Sequence, residues 1–254
     1  MAQTRTGAPA WVELLTTDLE RAGRFYSSLL GWSTARGQID PRYLECSTAA
    51  GAVAGILEKV PDDEPMADVW TVYLRTTNLE QSLLAAENAG AEVVVPATVS
   101  GDLGRLAGVI GPAGAYVGLW EPGTFEGTEG IGTPGSLAWG ELWTRAFDAA
   151  MTFYDQAFDW PVVLHEDGTH RPRYATHGAG HDAAVGILDA ADLLGPHDPS
   201  HCVVYFAVSD LDASRARVSE LGGTVIGEPI DTMVGRAAVC RDDQGASFRL
   251  AEYA

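Results

Sequence analysis

Apolar positions in this chain switch between two periods in a regular order. Residues 11–17, WVELLTT, read as a strand that runs into Asp18, a good helix N-cap. Leu19, Ala22, Phe25, Tyr26, Leu29 and Leu30 then fall at helical spacing and form one stripe, which Gly31 ends. Tyr43 to Ser47 and Ala52 to Glu58 read as short strands parted by Gly51. The opening segment is thus strand, helix, then two or three strands.

The same order starts again at Val69 to Thr76, a run rich in β-formers. Asn78 can cap a helix carrying Leu79, Leu83, Ala86 and Ala89, which stops at Gly90. Ala91 to Val95, Arg105 to Ile110 and Tyr116 to Glu121 follow as strands. Residues 122–136, PGTFEGTEGIGTPGS, show no periodicity and are dense in glycine, which marks a linker. Beyond it come a strand at Leu137 to Thr144 and a helix striped by Phe147, Ala150, Tyr154 and Ala157. Strands at Tyr174 to Thr176 and Ala184 to Leu188 complete that module. The last module has a strand at Val203 to Val208 and a helix capped by Asp210 that ends at Gly222-Gly223. Strands around Val225, at Arg236 to Cys240 and at Ser247 to Ala251 close it.

The periodicity conceals a literal repeat. Trp11 to Trp32 matches Trp139 to Trp160, 128 positions later, at eight ungapped positions, among them Trp11/Trp139, Glu13/Glu141, Phe25/Phe153, Tyr26/Tyr154 and Trp32/Trp160. Gly104-Arg105 and Gly114-Ala115 recur as Gly235-Arg236 and Gly245-Ala246, both offset by 131. One cap is lost, because Ala146 stands where Asp18 does. Asp148 or a shifted helix start is the expected substitute. The duplication divides the chain into domains over 8–121 and 137–253, joined by the 122–136 linker.

Composition narrows the partners. A net charge of −19 and a pI near 4.5 repel nucleic acid and anionic membranes, so neither is an expected partner. The apolar runs are too short to span a bilayer. Cys46, Cys202 and Cys240 are odd in number and lack CxxC spacing, which argues against a disulfide framework and for a reducing compartment. The N-terminal MAQTRTGAPA has no apolar core of a signal peptide, so a cytoplasmic protein is expected.

Asp18-Leu19-Glu20, Phe25-Tyr26 and Leu30-Gly31-Trp32, set after a strand and repeated through four modules, resemble the vicinal oxygen chelate superfamily. That superfamily contains the glyoxalase, bleomycin-resistance and extradiol-dioxygenase groups. The Trp-x-Glu-Leu opening, the Tyr73 and Tyr205 strands and the Gly-Arg…Gly-Ala endings are similar to a two-domain actinobacterial branch often labelled hydroxylase. The resemblance implies an α+β fold: four βαβββ modules, paired into two tandem domains with curled mixed sheets. It also implies where a metal would be held. Counting from the caps and turns, those places are Trp11, Thr71 and Gly118 in the first domain, and Trp139, Val203 and Arg249 in the second. None of these side chains suits a divalent cation. The expectation is therefore no metal and no other cofactor.

Residues two apart in a strand share a face. Glu13 and Glu141 thus lie on the face of Trp11 and Trp139, as does Trp143. Tyr73, Arg75, Tyr116 and Trp120 in the first domain, and Tyr205, Ser247 and Arg249 in the second, line the same side. Arg105 and Arg236 stand on adjacent strands. Aromatic groups with a few convergent polar ones describe a small-molecule site. Glu13 or Glu141 is a candidate general base whose pKa burial could raise, with Tyr73 or Tyr205 as proton donor. The competing reading makes Glu13–Arg105 and Glu141–Arg236 structural ion pairs. Trp11 and Trp139 either stack on a ligand or fill the space of a metal site.

All six histidines lie in the second half: His165, His170, His177, His181, His197 and His201. They are either a metal or acid–base site, or polar loop residues. The glycines in HGAGH argue for a loop rather than a helix. Three functional classes follow: a binding protein for a small, natural-product-like organic molecule; a metal-free isomerase, cyclase or lyase; and a metalloenzyme using these histidines. Two domains in one chain can pair with each other, giving a monomer, or the chain forms a homodimer.

Overall fold

The computed structural model describes residues 5–60, 67–165, 172–180, 183, 185–196, 198–232 and 235–252. The first module holds β1 (Pro9–Thr16), α1 (Leu19–Leu30), β2 (Ser33–Arg36), β3 (Tyr43–Thr48) and β4 (Gly51–Glu58). The second holds β5 (Val69–Arg75), α2 (Leu79–Asn88), β6 (Glu92–Ser100), β7 (Gly104–Ile110) and β8 (Tyr116–Pro122). The third holds β9 (Leu137–Thr144), α3 (Phe147–Phe158), β10 (Val162–His165), β11 (Tyr174–His177) and β12 (Gly186–Asp189). The fourth holds β13 (His201–Val208), α4 (Leu211–Glu220), β14 (Thr224–Thr232), β15 (Gly235–Arg241) and β16 (Ser247–Glu252).

The strands form two eight-stranded mixed sheets, ordered β2-β3-β4-β1-β5-β8-β7-β6 and β10-β11-β12-β9-β13-β16-β15-β14. In each, the first strand of a module runs parallel to that module's last: β1 with β4, β5 with β8, β9 with β12, β13 with β16. This is the α+β architecture of two tandem domains that the module pattern predicts.

Helix starts follow the sequence closely. Asp18, Asn78 and Asp210 each accept a bond from the backbone N–H three residues on. Gly31 closes α1 at φ 72°, a left-handed conformation that costs glycine little. The third helix departs from expectation. Ala146 is its N-cap and makes no side-chain bond, while Asp148 does not cap but pairs with Arg173 at 2.9 Å. Thr144 Oγ1 accepts from the Ala146 N–H instead.

The long β6 and β14 also correct the shorter strands expected there. Pro96 and Pro229 lie inside these strands, and both strands end their sheets. An edge strand tolerates a residue that cannot donate to a ladder. The four-residue β2, exposed throughout, and β10, half-buried, carry no clear hydrophobic pattern for a related reason: both are edge strands.

Packing sorts the modules differently from the sheets. One compact unit comprises the described parts of residues 1–10, 72–126 and 140–202, and the other those of 11–71, 127–139 and 203–254. Each unit therefore combines modules from both halves of the chain. In the first, Tyr154 stacks on Trp160 at 4.4 Å, and Trp160 Nε1 donates to the Gly7 carbonyl at 3.1 Å. In the second, Tyr26 stacks on Trp32 at 5.5 Å, and Trp32 Nε1 donates to the Gly135 carbonyl at 2.6 Å. The repeated tryptophan that follows each helix thus ties down the strand entry of the opposite half.

Tyr26 is the hub of the second unit. Trp70 and Phe248 meet it edge-on at 5.2 and 5.4 Å, and each such pair contributes about 0.5–1.5 kcal/mol beyond burial. Its hydroxyl donates to Asp242 Oδ2 at 3.0 Å and accepts from Trp70 Nε1 at 2.9 Å. Burial is the main cause that raises the Asp242 pKa above the ordinary range.

The two halves close the end of their first strands by different means. Lys59, the single lysine of the sequence, meets Asp68 at 2.5 Å with both side chains under 5% exposed. Thr16 Oγ1 and the Thr17 N–H also donate to Asp68. Burial pushes the Asp68 carboxyl up, but the bonds from Lys59, Thr17 and Thr16 outweigh it and hold the group below its usual range. In the second half Ser200 Oγ donates to Thr144 Oγ1 at 3.1 Å. Arg145 there grips the carbonyls of Leu194, Gly195 and Asp198.

Candidate functional site

Alternation along the strands separates two faces in each sheet. Val12 and Leu14 of β1, and Trp70, Val72 and Leu74 of β5, are buried on the helix side. Trp11, Glu13, Thr71, Tyr73 and Arg75 take the opposite, open side. The candidate residues of that side fall into four clusters, each within one compact unit.

On β1, Glu13 stands beside Gly55 of β4. Tyr43 of β3 reaches over Gly55, where a Cβ would overlap its phenol, and accepts a bond from Trp11 Nε1 at 2.9 Å. Burial first, and the Glu13 carboxylate second, push the Tyr43 pKa well above its ordinary value. Trp11 is 7% exposed and is part of this packed floor.

On β5, Tyr73 pairs in register with Gly118 of β8, and its ring lies where a Gly118 Cβ would be. Tyr116 covers Gly108 in the same way. Trp120 bonds the Phe125 carbonyl at 3.1 Å. Arg75 donates to both the carbonyl and the carboxylate of Glu126, a residue in the segment that reads as linker.

On β9, Glu141 stands beside Gly186 of β12, as Glu13 stands beside Gly55. Tyr174 of β11 covers Gly186, as Tyr43 covers Gly55. The surroundings differ in one respect. Trp143 Nε1 donates to Glu141 Oε1 at 2.5 Å, whereas residue 15 in the first half is leucine. Glu141 is 6% exposed. His201 lies 6.3 Å from the Trp143 ring.

On β13, Tyr205 pairs in register with Arg249 of β16. Arg249 Nη1 donates to the Tyr205 hydroxyl at 2.7 Å, and the guanidinium sits 5.1 Å from the Tyr205 ring centroid. Both residues are buried, at 5% and 2% exposure. Trp139, on β9, is also buried.

The expected ion pairs Glu13–Arg105 and Glu141–Arg236 do not form. Arg105 faces Glu121 across the β7–β8 ladder and reaches Glu80 of α2. Arg236 faces Glu252 and reaches Asp212 of α4. Each arginine lies on the helix side of its sheet, one face away from the glutamate proposed for it.

Of the histidines, His170, His181 and His197 lie outside the described residues. His165 Nε2 meets Thr176 Oγ1 at 2.8 Å. His177 is the last residue of β11, 2% exposed and 5.0 Å from Trp160, so it is a buried strand residue and not the polar loop residue expected. Burial, with Arg5 nearby, lowers its pKa to about 4. His201 turns to the Pro199 carbonyl. Among the described residues no three His, Cys, Asp or Glu side chains gather as a metal set. The six places where the resemblance would put metal ligands hold tryptophan, threonine, glycine, valine and arginine, and this donor set does not fit a divalent cation.

Sequence reasoning passed over Tyr43, Tyr174 and Glu126. A signal for the two tyrosines was present: Pro41-Arg42-Tyr43 recurs as Pro172-Arg173-Tyr174, offset by 131. Nothing local marks Glu126, whose role depends on where Arg75 ends its strand.

Comparison with known proteins gives a consistent placement. Residues 136–250 match the Glyoxalase/Bleomycin resistance protein/Dioxygenase superfamily model, and residues 11–106 match a glyoxalase-like domain model. A protein of Mycobacterium tuberculosis named "Putative glyoxylase CFP32" is 35% identical over 97% of this chain and 95% of its own length. The anthracycline biosynthesis protein DnrV of Streptomyces peucetius is 35% identical over 99% of this chain and 95% of its own length. The Mn(II)-bound glyoxalase of Novosphingobium aromaticivorans shares the fold, with a TM-score of 0.67 at 13% identity, over 98% of this chain and 85% of that one.

Proposed function

Because the chain belongs to the glyoxalase/bleomycin resistance/dioxygenase superfamily, we propose that it is a metal-independent binding protein for a small, natural-product-like organic molecule. The observation that carries this reading is the seating of aromatic rings on glycines of the open faces: Tyr43 on Gly55, Tyr73 on Gly118 and Tyr174 on Gly186. Rings seated against the sheet suit a planar apolar ligand, and Tyr73 covers Gly118, one of the places where the resemblance would put a metal ligand. A relative named for anthracycline biosynthesis supports a ligand of that general kind. Trp11, Tyr73, Trp120, Trp139 and Trp143 are the proposed contacts, with Arg75 and Arg249 as polar anchors. Arg105 and Arg236, on the helix sides, are dropped from the set.

A second reading rests on Glu141. A carboxylate 6% exposed and oriented by an indole N–H has the setting of a general base in a metal-free isomerase, cyclase or lyase. Tyr205 would then be a proton donor on the same face. Glu13, near the Tyr43 hydroxyl, is the corresponding candidate in the first half. The separate engagements of His165, His177 and His201 disfavour a metalloenzyme built on those three.

The three free cysteines support a cytoplasmic setting, and the mixing of both halves in each compact unit supports a monomer over a homodimer. Tryptophan-fluorescence titration of untagged protein with planar polyphenols tests the binding reading, with saturable quenching expected. Stoichiometric zinc, iron or manganese in the purified protein would overturn metal independence. A Glu141→Gln variant that retains affinity but loses turnover of a bound compound would replace binding by catalysis.

A further inference from the structure

Resting on the small-molecule reading, we propose that Arg75 and Trp120 form a subsite of the first sheet for the carboxylate of a planar aromatic acid, and that Glu126 is its internal stand-in, displaced when the ligand binds.

The chain itself shows what this place accepts. Arg75 ends β5 in register with Trp120 of β8, so cation and indole stand side by side on the open face. The Arg75 side chain is 13% exposed, and its Nη2 holds the Glu126 carboxylate. A carboxylate therefore already occupies the position that the ligand's acid group would take.

Glu126 fills that position incompletely. Arg75 Nη1 donates to the Glu126 carbonyl at 2.9 Å and Nη2 to the carboxylate. Arg75 Nε is buried and has no hydrogen-bond partner among the described residues. The Nε–H and an Nη2–H lie on one edge of the planar guanidinium, the edge that takes both oxygens of a carboxylate. Glu126 satisfies one of these two donors, and an acid bound side-on satisfies both. Leaving a buried donor unpaired is costly, so the exchange favours the ligand.

The stand-in is also easily moved. The Glu126 side chain is 73% exposed, and an exposed ion pair is worth at most about fivefold in an equilibrium constant. The backbone before it is pinned. The Phe125 N–H donates to the Leu103 carbonyl at 3.1 Å, and the Phe125 carbonyl accepts from Trp120 Nε1 at 3.1 Å. Only the glutamate side chain has to swing out. The Trp120 ring stays in place, met edge-on by Phe125 at 6.0 Å, and offers the ligand's ring an apolar surface. At the matching register of the second sheet stand Ala207 and Ala251, so the subsite belongs to the first sheet.

The test titrates 2-naphthoate and its neutral amide into the full chain by calorimetry, at about 0.15 M salt to screen distant charges. Wild type is expected to bind the carboxylate at least about fivefold more tightly than the amide. Glu126→Ala removes the competitor and should tighten the carboxylate by about threefold to fivefold, with the amide changed less than about twofold. Arg75→Gln should erase the preference for the carboxylate. Arg217→Gln, exposed on α4, should change neither affinity. Equal affinity of wild type for the two probes overturns the subsite, and so does a carboxylate affinity that Glu126→Ala leaves unchanged or lowers. If neither probe binds while planar polyphenols still quench the tryptophans, the subsite falls and the small-molecule reading stands. If the polyphenols fail as well, both fall. Glu126 is exposed, so its variant decides the matter even where Arg75→Gln does not fold.

Discussion

Glu13 and Glu141 occupy the same place in the two sheets, each beside a glycine covered by a tyrosine. Their neighbours differ. Glu13 has leucine two residues on, while Glu141 is bonded by Trp143. Tyr73 lies on glycine, and Tyr205 lies beneath arginine. Position 46 is a buried cysteine, and its counterpart 177, offset by 131 like the tyrosines, is a buried histidine. The open face of the first sheet carries Glu13 and Arg75 and that of the second Glu141 and Arg249, so the two differ in where the cation stands and in what meets each carboxylate. A repeat preserves backbone places more faithfully than chemistry, because the ladder fixes the former and single side chains set the latter.

The strongest way to separate the halves is at their strand closures. Asp68→Asn removes the carboxylate that Lys59, Thr16 and Thr17 share and should cost about 3 kcal/mol, since breaking a buried ion pair is expensive. Ser200→Ala, the matching change in the second half, loses one hydroxyl bond and should cost about 1 kcal/mol. Urea denaturation of both variants measures the difference, and equal costs would erase this asymmetry.

Paving is tested next. Gly118→Ala places a methyl against the body of the Tyr73 ring and should destabilise by about 2 kcal/mol. Gly186→Ala meets the outer end of Tyr174, which can swing aside, and should cost less than half of that. The reverse order would mean that Tyr174, not Tyr73, is the more rigid tile.

The helix tyrosines come third. Tyr26→Phe strands Asp242 and Trp70 and should cost about 1–2 kcal/mol. The Tyr154 hydroxyl makes no hydrogen bond among the described residues, so Tyr154→Phe should change the melting temperature by less than about 2 °C.

The halves differ in pH response as well. The folded state depresses the His177 pKa to about 4, so the unfolded chain binds more protons between about 6.5 and 4. Stability should therefore fall as pH drops through that window, by about 2 kcal/mol at pH 5. His177→Cys, copying the first half, should flatten this part of the stability profile. An unchanged slope would remove His177 from the account.

Much of this fold is legible in residues: Asp18, Asn78 and Asp210 as caps, Gly31 as a stop, and the 128-residue repeat as a duplication. Strand alternation also places Trp11, Glu13 and Tyr73 on one face correctly. The failures have a common cause. Arg105 and Arg236 were assigned partners by their recurrence alone, whereas their pairing depends on which face the strand register gives them. Tyr43 and Tyr174 matter because of glycines on the neighbouring strand, a relation between strands that no single-segment period contains. The partnership of Trp32 with Gly135, and of Trp160 with Gly7, spans more than a hundred residues each.

Lys59 has a practical consequence. As the sole lysine, with its side chain 3% exposed and held by Asp68, it leaves the folded surface without an ε-amine. Acylating reagents, aldehydes and lysine-directed crosslinkers will find this side chain only when the end of β4 opens. Its rate of acylation is therefore a clock for local opening, written into the covalent chemistry of a single atom.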